Sequence, residues 1–266
     1  MPFEEKRATS FGRVAGSYDQ VRPGPAAAAV DWLLPAGCAV AVDLAAGTGL
    51  FTRALDGRVE DIIAVEPDGR MREVLEEQSP GVRVLDGQAE AIPLPDDYAD
   101  AVFVSTAWHW FDPELAVREI TRVLKDGGRL GILWTSRDRE EQWVAELDLI
   151  RDARAGEPRT VAAVREQLTR HHEVTLPEGA ELGPPQTASF GFTRTLTVDD
   201  TLDWLATSSR FITAGDADRD AALSRLRVSL TAHSGGGDLV QMPLRSWCWR
   251  ADRLPRAGRQ RVVSHR

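Results

Sequence analysis

A glycine-rich turn bordered by two acids has the clearest chemical potential in this sequence. Residues 42–49 read Val-Asp-Leu-Ala-Ala-Gly-Thr-Gly, and Glu66 follows 17 residues after Gly49. Glycines let a ligand approach the backbone closely, and a helix that begins there presents N–H groups to it. A carboxylate at the end of the next strand can accept hydrogen bonds from both hydroxyls of a ribose. The spacing therefore predicts a site for a nucleoside-containing ligand.

Asp43, at the mouth of this turn, distinguishes between classes of nucleotide. A carboxylate beside a pyrophosphate is repulsive, and the repulsion is large where solvent is excluded. Dinucleotide-binding turns have the pattern G-x-G-x-x-G, and residues 47–52 lack the third glycine. S-adenosylmethionine has a ribose, no phosphate and a cationic amino-acid end, so it suits both acids. The alternative is that Asp43 only ends a strand beside a structural turn.

Alternating strands and helices are predicted to position this turn. Short apolar runs are typical of buried strands, and apolar residues at helical spacing indicate helices. This order requires crossover helices, and hence a mostly parallel sheet with helices on both faces. The strands are predicted at 38–44, 61–67, 82–85, 99–105 and 129–134, and the helices at 26–34, 50–55, 68–78 and 113–124.

The rest of the chain has weaker patterns. Residues 125–128 (Lys-Asp-Gly-Gly) are expected to end the preceding helix through a glycine cap. The alternating segment 242–251 predicts a final, antiparallel strand at the edge of the sheet. A late strand is predicted at 191–197, and helices at 140–154, 160–169, 199–209 and 216–232.

Composition excludes several classes of function. The 266 residues carry a net charge of −9, which disfavours binding to a phosphate backbone. The two cysteines, Cys38 and Cys248, are too far apart for a C-x-x-C site, and they suggest a reducing compartment. No apolar run is as long as a membrane span, and residues 1–10 lack the apolar stretch of a signal peptide. We expect a cytoplasmic protein, monomeric or homodimeric, that binds neither nucleic acid nor membrane.

Several stretches resemble class I S-adenosylmethionine-dependent methyltransferases, and within them the small-molecule enzymes of the methyltransferase-11 type. The resemblance is specific over about 11–135 and thin beyond it. It implies a Rossmann-like sheet of seven strands, mostly parallel, with helices on both faces, an antiparallel last strand and a helical lid insertion. The stretches are 11–25, 42–52, 64–71, 87–112 and 118–134.

The same resemblance implies a division of the chain. Residues 1–35 would be an N-terminal lid segment, and 36–139 the cofactor-binding core. Residues 140–235 would hold the lid and substrate region together with part of the core sheet. The final strand would occupy 236–254, and a basic tail 255–266.

The resemblance also implies the residues that contact S-adenosylmethionine. Glu66 would hold the ribose, and Thr106 and Ala107 would lie near the sulfonium. Tyr18 and Arg22 would close the pocket, with Arg22 pairing with the carboxylate of the cofactor. The methionine end would lie against Asp43, Ala45, Gly47 and Gly49, and the adenine against Pro67, Met71, Gln88, Ala89 and Glu90. Many relatives carry Asp at the position of Gln88.

The acceptor side is less defined. His109, just after the fourth strand, is the candidate general base, although it could instead cap a helix or bond a carbonyl group. Tyr18 and Trp110 are the other candidate substrate contacts, and Trp108, Trp110 and Trp134 could form an aromatic wall. The pair His171-His172 lacks partners at metal-ligand spacing, so no metal site is predicted.

The predicted reaction is methyl transfer to O, N or C of a small molecule, such as a secondary metabolite or an organic acid. A general base helps only if the acceptor atom carries a proton. Two alternatives remain from the sequence. One is a nucleotide-dependent oxidoreductase, and the other is a module that binds S-adenosylmethionine without catalysis.

Overall fold

The protein is described by a computed structural model that covers residues 22–151, 160–207, 211 and 215–256. Within these residues, seven strands form one sheet in the order β3-β2-β1-β4-β5-β7-β6. The strands are β1 (Val40–Leu44), β2 (Asp61–Val65), β3 (Arg83–Leu85), β4 (Ala99–Ser105), β5 (Leu124–Arg137), β6 (Gln186–Thr197) and β7 (Leu239–Asp252).

The pairing confirms the predicted mostly parallel sheet. Strand β1 pairs in parallel with β2 and β4, β2 with β3, and β4 with β5, whereas β7 is antiparallel to both β5 and β6. The prediction that the last strand lies at the edge is wrong, because β7 lies between β5 and β6. Its alternation arises because one face is buried in the core, through Met242, Leu244 and Cys248, while the other is half-exposed.

Helices cover both faces of the sheet, as predicted. The helix bounds are α1 (Ala27–Leu33), α2 (Leu50–Ala54), α3 (Gly69–Gln78), α4 (Pro113–Val123), α5 (Gln142–Arg151), α6 (Val161–His171), α7 (Val198–Ala206) and α8 (Asp216–His233). Helix α4 contributes Val117 and Ile120 to the core on one face, and α1 contributes Val30 and Leu33 on the other. A 3-10 turn, Trp108–Trp110, follows β4.

Local signals explain how α4 begins and how β5 follows it. The side chain of Asp112 accepts hydrogen bonds from the N–H groups of Glu114 and Leu115 at 3.0 and 3.2 Å, which caps the helix. The expected glycine cap at 125–128 is wrong, because the helix ends at Val123 and these residues already belong to β5. The register against β4 shifts there, and the backbone of Gly127, with φ +78°, fits the resulting irregularity.

Three long strands extend past the carboxyl end of β4. Ser105, the last residue of β4, pairs with Leu133, and β5 continues for four more residues to Arg137. Strands β6 and β7 extend further, and we call residues 134–137, 190–197 and 239–247 the extended part of the sheet. Helices α5, α7 and α8 pack on one face of it around a core that includes Leu147, Leu205, Leu226, Met242 and Leu244.

Candidate functional site

The turn between β1 and α2 has a backbone that only a few residue types adopt without strain. Gly47 and Gly49 have φ of +59° and +86°, in the left-handed region that favours glycine. A Cβ on Gly49 would lie 3.0 Å from Cγ of Leu75, so this position also lacks room for a side chain. Ala45, with φ +56°, adopts the same region without being glycine. The turn is therefore held in a conformation that its surroundings impose.

Asp43 is a fully buried carboxylate at the end of β1. Its Oδ2 accepts a hydrogen bond of 2.6 Å from the hydroxyl of Thr52, whereas Oδ1 is buried without a partner. Burial raises the pKa of Asp43 to about 7, the hydrogen bonds from Thr52 oppose this, and the nearby charge of Glu66 adds to it. The hydroxyl of Thr48 is also buried without a partner. A cationic group beside Oδ1 would satisfy this oxygen and stabilise its charge.

Glu66 connects the glycine-rich turn to the start of α3. Its Oε2 accepts from the N–H of Gly47 and its Oε1 from the N–H of Asp68, both at 2.9 Å. Burial raises the pKa of Glu66, and these two hydrogen bonds oppose the shift. Each carboxylate oxygen keeps a second lone pair, so Glu66 can accept from a ligand while it holds the turn.

The segment after β4 brings a second strained residue to the same edge of the sheet. Thr106 has φ +60°, which is unusual for a β-branched residue, and its N–H donates to the carbonyl of Leu133 at 2.8 Å. Backbone strain of this kind is concentrated at functional sites. Ala107, next to it, is buried. The ends of β1, β2 and β4 thus place Asp43, Glu66 and Thr106 along one edge.

The aromatic residues after β4 divide into core and surface. Trp108 is buried in the core, whereas His109 is exposed and Trp110 is 36% exposed. The rings of His109 and Trp110 lie 4.5 Å apart, centroid to centroid. Trp134 is only 2% exposed. Trp108 and Trp134 therefore pack in the core, which is the alternative to an aromatic wall, and of the three tryptophans Trp110 is the exposed one.

The residues predicted to contact the cofactor beside the ribose differ in exposure. Met71 and Ala89 are buried, whereas Pro67 and Gln88 are exposed. Glu90 accepts a hydrogen bond of 2.9 Å from the N–H of Asp112, so its carboxylate also positions the start of α4.

The start of the described chain is tied to the extended part of the sheet. The carbonyl of Arg22 accepts from Arg194 at 3.5 Å, and the N–H of Ala26 donates to the hydroxyl of Ser246 at 3.0 Å. Ser246 in turn shares a hydrogen bond of 2.8 Å with Thr135 of β5. Tyr18 lies outside the described residues.

Two clusters were not predicted from the sequence. His172 lies against the rings of Trp134 and Trp247, with centroids 5.2 and 4.5 Å away. Asp148 binds several arginines, including Arg137, in the core beside α5. The strand pairing of Trp134 with Trp247 follows only from the fold, so sequence spacing contains no signal for it. The sequence does contain a signal for Thr52 as the partner of Asp43, because Thr52 lies in the first turn of the helix that follows the glycines.

The described residues contain neither a membrane-spanning helix nor a metal-binding cluster. No helix there is long and apolar enough to cross a membrane. In the same part of the chain, no three His, Cys, Asp or Glu side chains are grouped so that they could hold a metal ion.

Comparison with known proteins identifies the family. Residues 42–132 match the family described as methyltransferase domain. An uncharacterized methyltransferase of Mycobacterium tuberculosis strain H37Rv is 41% identical over 224 residues, which cover 84% of this chain and 86% of that protein. With the seven-stranded sheet already described, the chain therefore belongs to the class I S-adenosylmethionine-dependent methyltransferases.

Solved structures share the fold. A protein of Anaeromyxobacter dehalogenans, provisionally assigned as a type II methyltransferase, superposes with a TM-score of 0.62 and 24% identity, over 88% of this chain and 99% of that one. An N-methyltransferase of Haemonchus contortus, in complex with phosphomonomethylethanolamine and S-adenosylhomocysteine, gives a TM-score of 0.51 and 12% identity, over 92% of this chain and 57% of that one.

Proposed function

We propose that this enzyme transfers a methyl group from S-adenosylmethionine to a small molecule, with the cofactor bound along the carboxyl ends of β1, β2 and β4. The observation that carries the proposal is the fully buried Asp43, whose Oδ1 lacks a partner beside a turn that glycines keep open. An ammonium group supplies what this oxygen lacks, and a diphosphate would be repelled by it.

The residues present fit the cofactor from end to end. Asp43 would bind its ammonium group, with Ala45, Gly47 and Gly49 providing close backbone approach. Glu66 would accept from the ribose hydroxyls through its free lone pairs. The adenine would lie between Met71 and Ala89, which are buried, and its edges would contact Pro67, Gln88 and Glu90. Tyr18 and Arg22 would close the site from the N-terminal segment.

Methyl transfer places modest demands on the protein. When bound, S-adenosylmethionine supplies a methyl group that is already electrophilic, so the chain mainly aligns the acceptor with it. Thr106 and Ala107 would fix the position of the reacting centre, because the N–H of Thr106 is bonded to the carbonyl of Leu133. Trp110 offers an exposed aromatic surface to the acceptor.

His109 would act as the general base for an acceptor that loses a proton. The imidazole of His109 would accept the proton that an O–H or N–H acceptor loses on methylation. If this role holds, His109→Ala lowers turnover while the affinity for S-adenosylhomocysteine stays unchanged. Turnover equal to that of the wild type would remove His109 from the mechanism.

Calorimetric titration with S-adenosylhomocysteine tests the cofactor site. We expect Asp43→Asn and Glu66→Gln each to weaken binding by about 1–3 kcal/mol, because each removes a charged hydrogen-bond acceptor. Asp31→Asn is the matched control. Asp31 is an exposed acid on α1, and it pairs with Arg58. NAD should give no heat of binding. Wild-type affinity in both variants, or binding of NAD alone, would overturn the proposal.

A further inference from the structure

A buried group of arginines surrounds Asp148 at the base of the extended part of the sheet. Nη2 of Arg137 donates to Oδ1 of Asp148 at 2.7 Å, and Nη1 of Arg151 lies 3.0 Å from the same oxygen. Nε of Arg139 donates to Oδ2. The side chains of Asp148 and Arg137 are only 3% and 6% exposed. One carboxylate thus faces three guanidinium groups in the core.

Arg137 is the member of this group with an unused donor. Its Nη1 is buried and has no hydrogen-bond acceptor, whereas Nη1 of Arg139 donates to the hydroxyl of Ser136 at 2.8 Å. A buried charged donor without a partner is costly, so proteins rarely keep one without a use. Burial, and then repulsion from Arg139 and Arg151, lowers the pKa of Arg137 to about 9 against the attraction of Asp148. An anion bound at Nη1 would give this donor an acceptor and would raise the pKa of Arg137.

The guanidinium of Arg137 is held in a fixed plane. Its Cζ lies 5.3 Å from the centroid of the Trp204 ring, which therefore covers one face of the group. Asp148 occupies one edge through Nη2. The remaining N–H groups of Nη1 lie in the same plane, a geometry suited to one planar carboxylate.

Arg137 lies within reach of the proposed reaction centre. It is the fourth residue after Leu133, whose carbonyl accepts from Thr106, and four residues of strand span about 13 Å. Alternation along β5 places Arg137 on the same face as Thr135. Thr135 bonds Ser246, which binds the N-terminal segment at Ala26. A small molecule could therefore contact both Arg137 and the carboxyl edge of β4.

Building on the proposed function, we propose that Arg137 binds a carboxylate of the methyl acceptor through Nη1, so that the substrate is an organic acid. The positive charge that Asp148 leaves unbalanced at Arg137 then selects acids over neutral molecules of the same shape. Arg137 is a specificity-determining residue in this scheme, and it takes no part in the transfer itself.

Paired acids and amides test this inference. Protein saturated with S-adenosylhomocysteine is titrated with succinate and benzoate, and with succinamide and benzamide, and dissociation constants are taken from the rise in melting temperature. We expect at least one acid to bind tenfold or more tightly than its amide. Arg137→Lys should weaken that acid at least tenfold. Arg139→Lys, the matched control beside the same carboxylate, should change it less than threefold.

The outcomes separate this inference from the proposed function. Failure of S-adenosylhomocysteine to bind would contradict the cofactor site. Normal binding of S-adenosylhomocysteine with no preference for either acid would overturn only the role of Arg137, as would a preference that survives Arg137→Lys. If Arg137→Lys does not fold, Arg137→Gln takes its place in the same comparison, and equal binding of acids and amides by the wild-type protein would overturn the role of Arg137 without any variant.

Discussion

The glycine-rich turn and the extended part of the sheet bind charge in opposite ways. In the turn, two buried acids lie beside a backbone with strained φ angles, and Oδ1 of Asp43 has no hydrogen-bond partner among the described residues. In the extended part, arginines outnumber the acid that they surround, and Arg137 keeps an unused donor. Glu66 reaches the turn through the pairing of β1 with β2, whereas Arg137 meets Asp148 of α5 and Trp204 of α7 through the packing of these helices on the sheet. One region therefore suits a cation and the other an anion.

The largest expected effect tests whether the arginine group also supports the fold. Asp148→Ala should lower the free energy of unfolding by about 3–5 kcal/mol, because it leaves buried guanidinium groups without their shared carboxylate. The measurement is urea unfolding with tryptophan fluorescence. Asp216→Ala is the control, since the pair of Asp216 with Arg219 is exposed and should contribute less than about 1 kcal/mol. Equal losses in the two variants would show that burial of the group is energetically unimportant.

A smaller effect is expected in the turn. Gly49→Ala should cost about 2 kcal/mol of stability, because it combines a left-handed backbone with a Cβ 3.0 Å from Leu75, and it should weaken S-adenosylhomocysteine binding. Gly57→Ala is the matched control, since Gly57 has φ +69° but nothing within 4 Å of the added atom. Thermal unfolding and calorimetry on both variants separate strain from crowding. Identical behaviour of the two would mean that space at Gly49 is unimportant.

The smallest effect concerns pH. The pKa of Asp43 is raised to about 7 in the fold, so protonated Asp43 stabilises the protein at low pH and this contribution is lost as pH rises from about 4 through 7. An ammonium group needs the carboxylate form, so affinity for S-adenosylhomocysteine should fall by up to about tenfold per pH unit below 7. Calorimetry between pH 5.5 and 8 measures this slope. A wild-type slope that persists in Asp43→Asn would assign it to another group, such as Glu66.

Local patterns predict where strands lie in the sequence, but they do not predict which strands become neighbours in the sheet. Strands β1, β2 and β4 are short, mostly apolar runs that are largely buried, so their positions follow from the local sequence. Alternation in β7 reports one buried face, and it contains no information about which strands are its neighbours. For this reason the sequence predicts the antiparallel direction of β7 correctly and its place at the edge of the sheet wrongly.

Some residues of the candidate site are predictable from local sequence, whereas others come together only through tertiary packing. The sequence predicts roles for Asp43 and Glu66 in binding a cofactor because each acid lies at the end of a predicted strand near the glycine-rich turn, and these roles stay predictions. The partners of Arg137 were not predicted, since Asp148 and Trp204 reach it only through helix packing. Burial of Trp108 was also missed, because an aromatic residue at a strand end has no sequence signal that separates core from cavity. Local patterns thus predict the proposed cofactor site, whereas the proposed acceptor site depends on tertiary contacts.

The place of β7 in the sheet determines the order in which the molecule can be completed during synthesis. Strands β1 to β5 pair with one another, so the half that carries Asp43 and Glu66 can form as soon as residue 137 has left the ribosome. Strand β6 pairs with β7, so it has no hydrogen-bonded strand beside it until residues 239–252 have been synthesised and have joined the sheet. A nascent chain can thus form the edge that carries Asp43 and Glu66 before the part of the sheet around Arg137 is complete.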